Sequence, residues 1–196
     1  MVNAERKTNH TGYAYIFDFD GVLADSLDII YTCFQSALEA EGVRFDYEFY
    51  QTCGGLSPMD IISHVCRDQG KAQSAEKVFK NYHALYEKSI RHTKPISCNI
   101  DLLRNLQRCK VPVAIASGSP KKEVSDLLDL FNVQVDVVVS AEEVKQGKPE
   151  PDVFLRAAEL LNVDPEFCVV VEDGDHGIRA AFKAGMRVLK YLERMP

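Results

Sequence analysis

A doubly wound, parallel α/β core of Rossmann-like type, with a small helical domain inserted after its first strand, is the fold this 196-residue chain predicts. Three observations carry it. Short, almost continuously apolar runs read as strands buried on both faces. They alternate with segments whose apolar residues repeat at helical spacing, which implies parallel strands joined by helices. One long stretch early in the chain breaks that alternation.

The first strand covers residues 14–19 and runs into Asp18-Phe19-Asp20-Gly21. Strand geometry carried through Asp20 would turn Asp18 and Asp20 to one side and Phe19 to the other. Two carboxylates at such range repel unless a cation or a shared proton relieves them. The segment therefore reads either as half of a chemical site or as a polar strand end with a turn. From about residue 27 to 94 no strand is legible. Val78, Tyr82, Leu85 and Tyr86 form a helical stripe, and Gly54-Gly55 and Ser57-Pro58 punctuate the region. A parallel crossover needs a dozen or more residues, and this one uses several times that. The surplus reads as an inserted helical domain, residues 27–94, with its return hinge near Pro95. Residues 1–26 and 95–196 then form the core.

The later strands fall at 111–116, 136–139, 168–172 and 187–190. Between them lie the stripes Val124, Leu127, Leu128, Phe131; Phe154, Ala157, Ala158, Leu161; and Ile178, Ala181, Phe182, Gly185. Each lays one apolar face on a sheet.

Hydrophobic content of 46% and charged content of 27% are ordinary for a soluble globular chain. A net charge of −6 weighs against nucleic acid or an anionic membrane as the main partner. Residues 1–11 lack the apolar run of a signal peptide. No stretch reaches the ~18 apolar residues of a membrane span. The six cysteines form no Cys-x-x-Cys pair and read as reduced core residues of a cytoplasmic protein. Nothing in the pattern specifies an oligomeric state.

Three further motifs lie at or near strand ends, where open α/β sheets bind ligands. Ser117-Gly118-Ser119-Pro120 is a phosphate cradle, with Ser117 offering a hydroxyl and Gly118 close backbone approach, or it is the N-cap of a proline-started helix. Lys148, in Gly147-Lys148-Pro149-Glu150-Pro151-Asp152, is a cation on stiff backbone, or a solvated loop lysine. Glu172-Asp173-Gly174-Asp175 supplies the oxygen ligands a hard cation such as Mg²⁺ prefers. Asp175 reads as a helix N-cap, and His176 as an exposed first-turn residue. The other histidines show no metal-ligand spacing.

In this order and on these strand ends, the set resembles the haloacid dehalogenase superfamily of phosphohydrolases over nearly the whole chain. The pieces are Asp18-Phe19-Asp20-Gly21-Val22, Ser117, Lys148 through Phe154, and Glu172-Asp173 with Gly177-Ile178-Arg179-Ala180-Ala181 and Ala184-Gly185-Met186. Within it the chain is similar to the beta-phosphoglucomutase-like branch, which carries a helical cap after the first strand. The resemblance implies that Asp18 is the nucleophile and Asp20 the general acid and base. It implies that Asp18, the Asp20 carbonyl and Asp173, assisted by Glu172, bind Mg²⁺. Ser117 and Lys148 would hold phosphoryl oxygens. Gly118 and Ser119 belong to the same cradle, and Gly54, Gly55 and Ser57 would face the substrate from the cap, unless they form an ordinary interhelical turn. Arg44, Arg67 and Lys71 are cap candidates for reading the substrate because they are basic. The substrate class implied is a small phosphorylated metabolite, a sugar phosphate. Mutases of the branch carry a histidine where Ile30 stands and an arginine just after the Gly-x-Ser element, where Pro58 stands. Both departures favour a phosphatase over a mutase. The other class of reading is a phosphate-binding regulator without catalysis, and the presence of Asp18, Asp20, Lys148 and Asp173 together weighs against it.

Overall fold

The computed structural model describes residues 12–192. The N-terminal segment 1–11, with His10 and the expectation drawn from its polar run, lies outside them. Five parallel strands form the sheet: β1 (Ala14–Phe17), β4 (Val113–Ser117), β5 (Val137–Ser140), β6 (Cys168–Glu172) and β7 (Arg187–Lys190). Their order is β5-β4-β1-β6-β7. The winding reverses at β1, whose last residue, Phe17, pairs with Ile115 of β4 on one side and Val171 of β6 on the other. The carboxyl ends of β1, β4 and β6 therefore lie side by side, at the switch point where such sheets bind ligands.

Pairing on β1 stops earlier than expected. Asp18 N–H makes a last bond to the Val171 carbonyl, 2.9 Å away. The chain then curls, and the amides of Val22, Leu23 and Ala24 all donate to the Phe19 carbonyl. Asp18 and Asp20 are thus not consecutive same-face strand residues. Both acids still line one cavity, while Phe19 between them is buried.

Helices α1 (Leu27–Glu39), α2 (Tyr47–Thr52), α3 (Pro58–Asp68) and α4 (Ala75–Ser89) follow. They are bracketed by two-residue strands β2 (Ala24–Asp25) and β3 (Lys94–Pro95), which pair antiparallel. Local chemistry starts two of the helices. The Asp46 carboxylate caps α2 by accepting from Phe49 N–H, and the Ser57 hydroxyl caps α3 by accepting from Asp60 N–H, with Pro58 at the first helical position. In α1, Ile30, Cys33, Phe34, Ala37 and Leu38 make the buried stripe, and Phe34 stacks on Tyr82 of α4 at 4.3 Å between ring centres.

Helices α5 (Ser97–Arg108) and α6 (Lys121–Leu130) share one continuous apolar cluster with α1–α4 and one face of the sheet. Helices α7 (Asp152–Leu161) and α8 (Asp175–Lys183) cover the other face. Alternation along β1 divides the work: Ile16 points into the second cluster, Phe17 into the first. No helix among the described residues is long and apolar enough to cross a membrane.

Three expectations need correction. The buried stripe of α8 is Gly177, Ala180 and Ala181, while Phe182 is 64% exposed. The cause is Gly177: a side chain there would overlap the Glu172 carboxylate, so the glycine must face inward and sets the helix rotation. The N-cap of α8 is Gly174, which puts Asp175 in the first turn. Cys98 and Cys109 are exposed, and only the other four cysteines belong to the interior.

Replacing Phe34 with alanine should empty a buried site between α1 and α4. The expected loss is about 3–5 kcal/mol of unfolding free energy, read as a lower urea midpoint at unchanged slope.

Candidate active site

Three strand ends deliver the charged groups. Asp18 follows β1, Glu172 closes β6, and Asp173 follows it. One ligating oxygen from each lies within 4.8 Å of the others. Lys148 reaches them from the loop between β5 and α7. Its Nζ donates to Asp18 Oδ1 at 2.7 Å and to Glu172 Oε1 at 2.8 Å, and it sits 4.9 Å from the centre of the Phe154 ring. Asp18, Lys148 and Glu172 are each at least 96% buried. Lys148 is therefore no solvated loop lysine. The second Glu172 oxygen accepts from Gly174 N–H at 2.7 Å, which ties this acid to the loop that starts α8.

The charge balance is lopsided, with three acids around one ammonium. Burial, then the Glu172 charge, pushes Asp18 up to about 7 against the pull of Lys148. Burial, then the charges of Asp18 and Glu172, pushes Asp173 up to about 8. Burial opposes the Lys148 ammonium, but Asp18 and Glu172 outweigh it and hold its pKa above the usual lysine value. A crowded set of oxygen donors short of positive charge fits a hard divalent cation, Mg²⁺ included.

Asp20 stands apart from that cluster. Its Oδ1 accepts from the Ser26 hydroxyl and its Oδ2 from the Ser119 hydroxyl, both at 2.6 Å. Burial raises its pKa, and the two hydroxyl contacts partly oppose the rise. The Ser117 hydroxyl is not a helix cap. It accepts from Ser119 N–H at 3.0 Å and so shapes the loop, while α6 starts after Pro120 without a side-chain cap.

Glycines let the helical segment close onto these loops. Gly55 has φ +88° and packs against Gly177 N and the Lys148 stem. Gly54 and Gly174 meet backbone to backbone, and Gly118 lies under the carbonyls of Gly55 and Leu56. Gly21, at φ +79°, faces Asp173 so closely that a side chain there would overlap its carboxylate. Beneath this lid is a cavity of about 360 Å³. Asp18, Asp20, Gly118, Ser119 and Asp173 line its floor, and Ile30, Tyr47, Tyr50 and Gln51 line its far side.

Several expected residues fall elsewhere. Ser57 is used up as the α3 cap: it donates to Asp60 Oδ2 at 2.6 Å and does not line the cavity. Arg44, Arg67 and Lys71 are also absent from the lining, and Lys71 Nζ binds the carbonyls of Glu41 and Gly42. The described lysine at the cavity wall is Lys190, 3.5 Å from Asp175. His176 is half-buried beside the Gly54 backbone rather than exposed, and burial lowers its pKa. Tyr47, Tyr50 and Gln51 do not stand out in the sequence. Their i, i+3, i+4 spacing is the available signal, hidden in a helix of only six residues.

The family model described as haloacid dehalogenase-like hydrolase matches residues 15–191. The chain belongs to that family. The chain is similar to a phosphorylated carbohydrates phosphatase of Thermotoga maritima, 29% identical over 88% of this chain and 82% of that one. A beta-phosphoglucomutase of Bacillus subtilis is 30% identical over 88% of this chain and 80% of its own. Among solved structures, a hydrolase from Pseudomonas syringae superposes with a TM-score of 0.84 over 91% of this chain and 83% of that chain, at 23% identity, a likeness of fold. The match thus runs from β1 to β7 and takes in the helices between β2 and β3.

Raised acids have a sign in stability. Asp18 and Asp173 hold protons more tightly when folded than when unfolded, so their contribution is full below about pH 3.9 and is lost as pH rises through about 7 to 8. Metal-free protein should therefore lose melting temperature between pH 5 and 8. Millimolar Mg²⁺ should restore it at pH 8 and change little at pH 5, as read by calorimetry.

Proposed function

We propose that the protein is a Mg²⁺-dependent phosphatase of a small phosphorylated metabolite, a sugar phosphate in type, acting through an aspartyl-phosphate on Asp18. The observation that carries this reading is the division of labour between the two acids of one loop. Asp18 sits in the cation-seeking cluster, and Asp20 is held apart by two hydroxyls on the same cavity floor.

In this mechanism an Asp18 oxygen attacks phosphorus and the ester oxygen leaves with a proton from Asp20. Asp20 then takes a proton from water as that water attacks the aspartyl-phosphate. Phosphate departs and Asp18 is free again. Lys148 orients Asp18 and offsets phosphoryl charge. The Ser117 hydroxyl accepts from the Ser119 amide, so its own proton remains to give to a phosphoryl oxygen. Asp18, Glu172, Asp173 and the Asp20 carbonyl would hold Mg²⁺, which when bound offsets the repulsion between the nucleophile and its anionic target. Residues 27–94 act as a cap: the Gly54–Gly55 turn seals the cavity, and charges act more strongly where water is excluded. The phosphatase relative supports the sugar-phosphate reading.

A mutase is the second reading, supported by the Bacillus relative. Ile30 argues against it, because it lines the cavity as an apolar group with no proton to transfer. A non-catalytic phosphate binder would have no need for Asp20's separate, hydrogen-bonded setting.

Phosphate release should be measured with Mg²⁺ across a panel of phosphate esters. Asp18→Asn should cost at least ~10³ in kcat while retaining Mg²⁺ binding, and Asp20→Asn about 10²–10⁴. Interconversion of glucose phosphates without phosphate release would replace this reading with the mutase.

A further inference from the structure

One buried acid is idle in the proposed mechanism. Glu123, in the first turn of α6, is 7% exposed and lies beneath α4 rather than in solvent. His83 Nε2 of α4 approaches its Oε1 to 3.3 Å. The Tyr86 hydroxyl, from the next turn of α4, is buried beside it. Among the described residues, no hydrogen bond of good geometry reaches either Glu123 oxygen or the Tyr86 hydroxyl. All three side chains line a cleft of about 690 Å³ between α4 and α6.

An ionised carboxylate in that setting is strongly disfavoured. Burial first, then the charge of Asp20, pushes the Glu123 carboxyl up to about 8, against a lowering by the Tyr86 hydroxyl. Glu142 and Glu87 add to the rise. Cys33 of α1 and Tyr82 of α4 face it as neutral groups, and its charge adds to the rise in theirs. Basic groups also border the cleft. Lys122, on the same helix, pairs with Asp126, and Arg91 lines the cleft from the turn Ile90–His92. The other nitrogen of His83 is 3.7 Å from Glu87.

We infer that Glu123 is a positioning residue for the proposed reaction: as the neutral acid it seats α4 on α6, so that closing residues 27–94 over the site takes up one proton there. The inference rests on the reading of residues 27–94 as a cap. Its link to the chemistry is short. The loop that leads into α6 carries Gly118, which lies under the cap turn, and Ser119, which holds Asp20. When α4 lifts, the cleft opens, Glu123 meets water and its carboxyl returns to about 4.3. The closed form then binds the proton more tightly. Closure is favoured fully below about pH 4.3, weakens as pH rises, and levels off above about 8.

Glu123→Gln keeps the shape and stays neutral at every pH. With Mg²⁺ and a turned-over phosphate ester, the ratio of wild-type to variant KM should rise between pH 5.5 and 8, by up to about tenfold per unit, and then flatten. Substrate ionisation cancels in that ratio. Calorimetry of inorganic phosphate binding with Mg²⁺, in two buffers of different ionisation enthalpy at pH 7, should count up to about one more proton taken up by wild type. Glu123→Leu should give the same flattening, and it serves if the glutamine variant fails to fold. A KM ratio independent of pH with equal proton counts overturns the inference and leaves the hydrolase reading intact. Phosphate binding with the extra proton but no ester turned over overturns the hydrolase reading alone. Neither binding nor turnover overturns both.

Discussion

Three carboxylates and one ammonium, all withdrawn from water, set the terms for the rest of this molecule. Lys148 satisfies Asp18 and Glu172 at once, with its ammonium over the Phe154 ring and its stem beside Gly55. Without it two buried charges would be uncompensated, a defect of several kcal/mol in comparable cases. The ammonium does not neutralise the set, because Asp173 remains. The site is thus stable enough to form and still short of positive charge. That deficit sets it apart from a balanced structural ion pair and leaves room for a further cation.

The sheet makes the arrangement possible. At β1 the winding reverses, so the loops after β4 and β6 flank the loop after β1 at one end of the sheet, and Phe17 pairs with both neighbours. The glycines then decide how closely those loops approach. At Gly21 and Gly177 a side chain would collide with a carboxylate of the cluster. At Gly54 and Gly174 two backbones meet where no side chain intervenes. Stability at these points is given up locally, since glycine weakens helices and ordered loops, and is recovered in the two apolar clusters, one on each face of the sheet.

Much of this is legible in the order of the residues. Residues 168–172 and 187–190 are strands as their apolar runs predict, and the Val124–Phe131 stripe is buried throughout. Such signals are local and periodic. Asp18, Asp173 and Lys148 stand out for another reason: each admits a plain structural reading alone, and their order along successive strand ends is what sets them apart. What stays hidden depends on contacts between distant segments. The rotation of α8 follows from Glu172 meeting Gly177. The role of Ser57 is decided by its own turn, and Glu123 looks like a surface acid until α4 is laid over it. Tyr50 and Gln51 point into the cavity because of how α2 sits, which its six residues do not encode alone.

The little ribbon of β2 and β3 has an implication of its own. Departure and return points of the helical insert are hydrogen-bonded neighbours, with Ala24 opposite Pro95 and Asp25 opposite Lys94. A different block of helices grafted between the same two anchor pairs would leave the spacing of the sheet loops unaltered, provided it met the same apolar seam. The insert is thus tied to the sheet through one short, self-paired pair of anchors, and its internal make-up can vary without moving them.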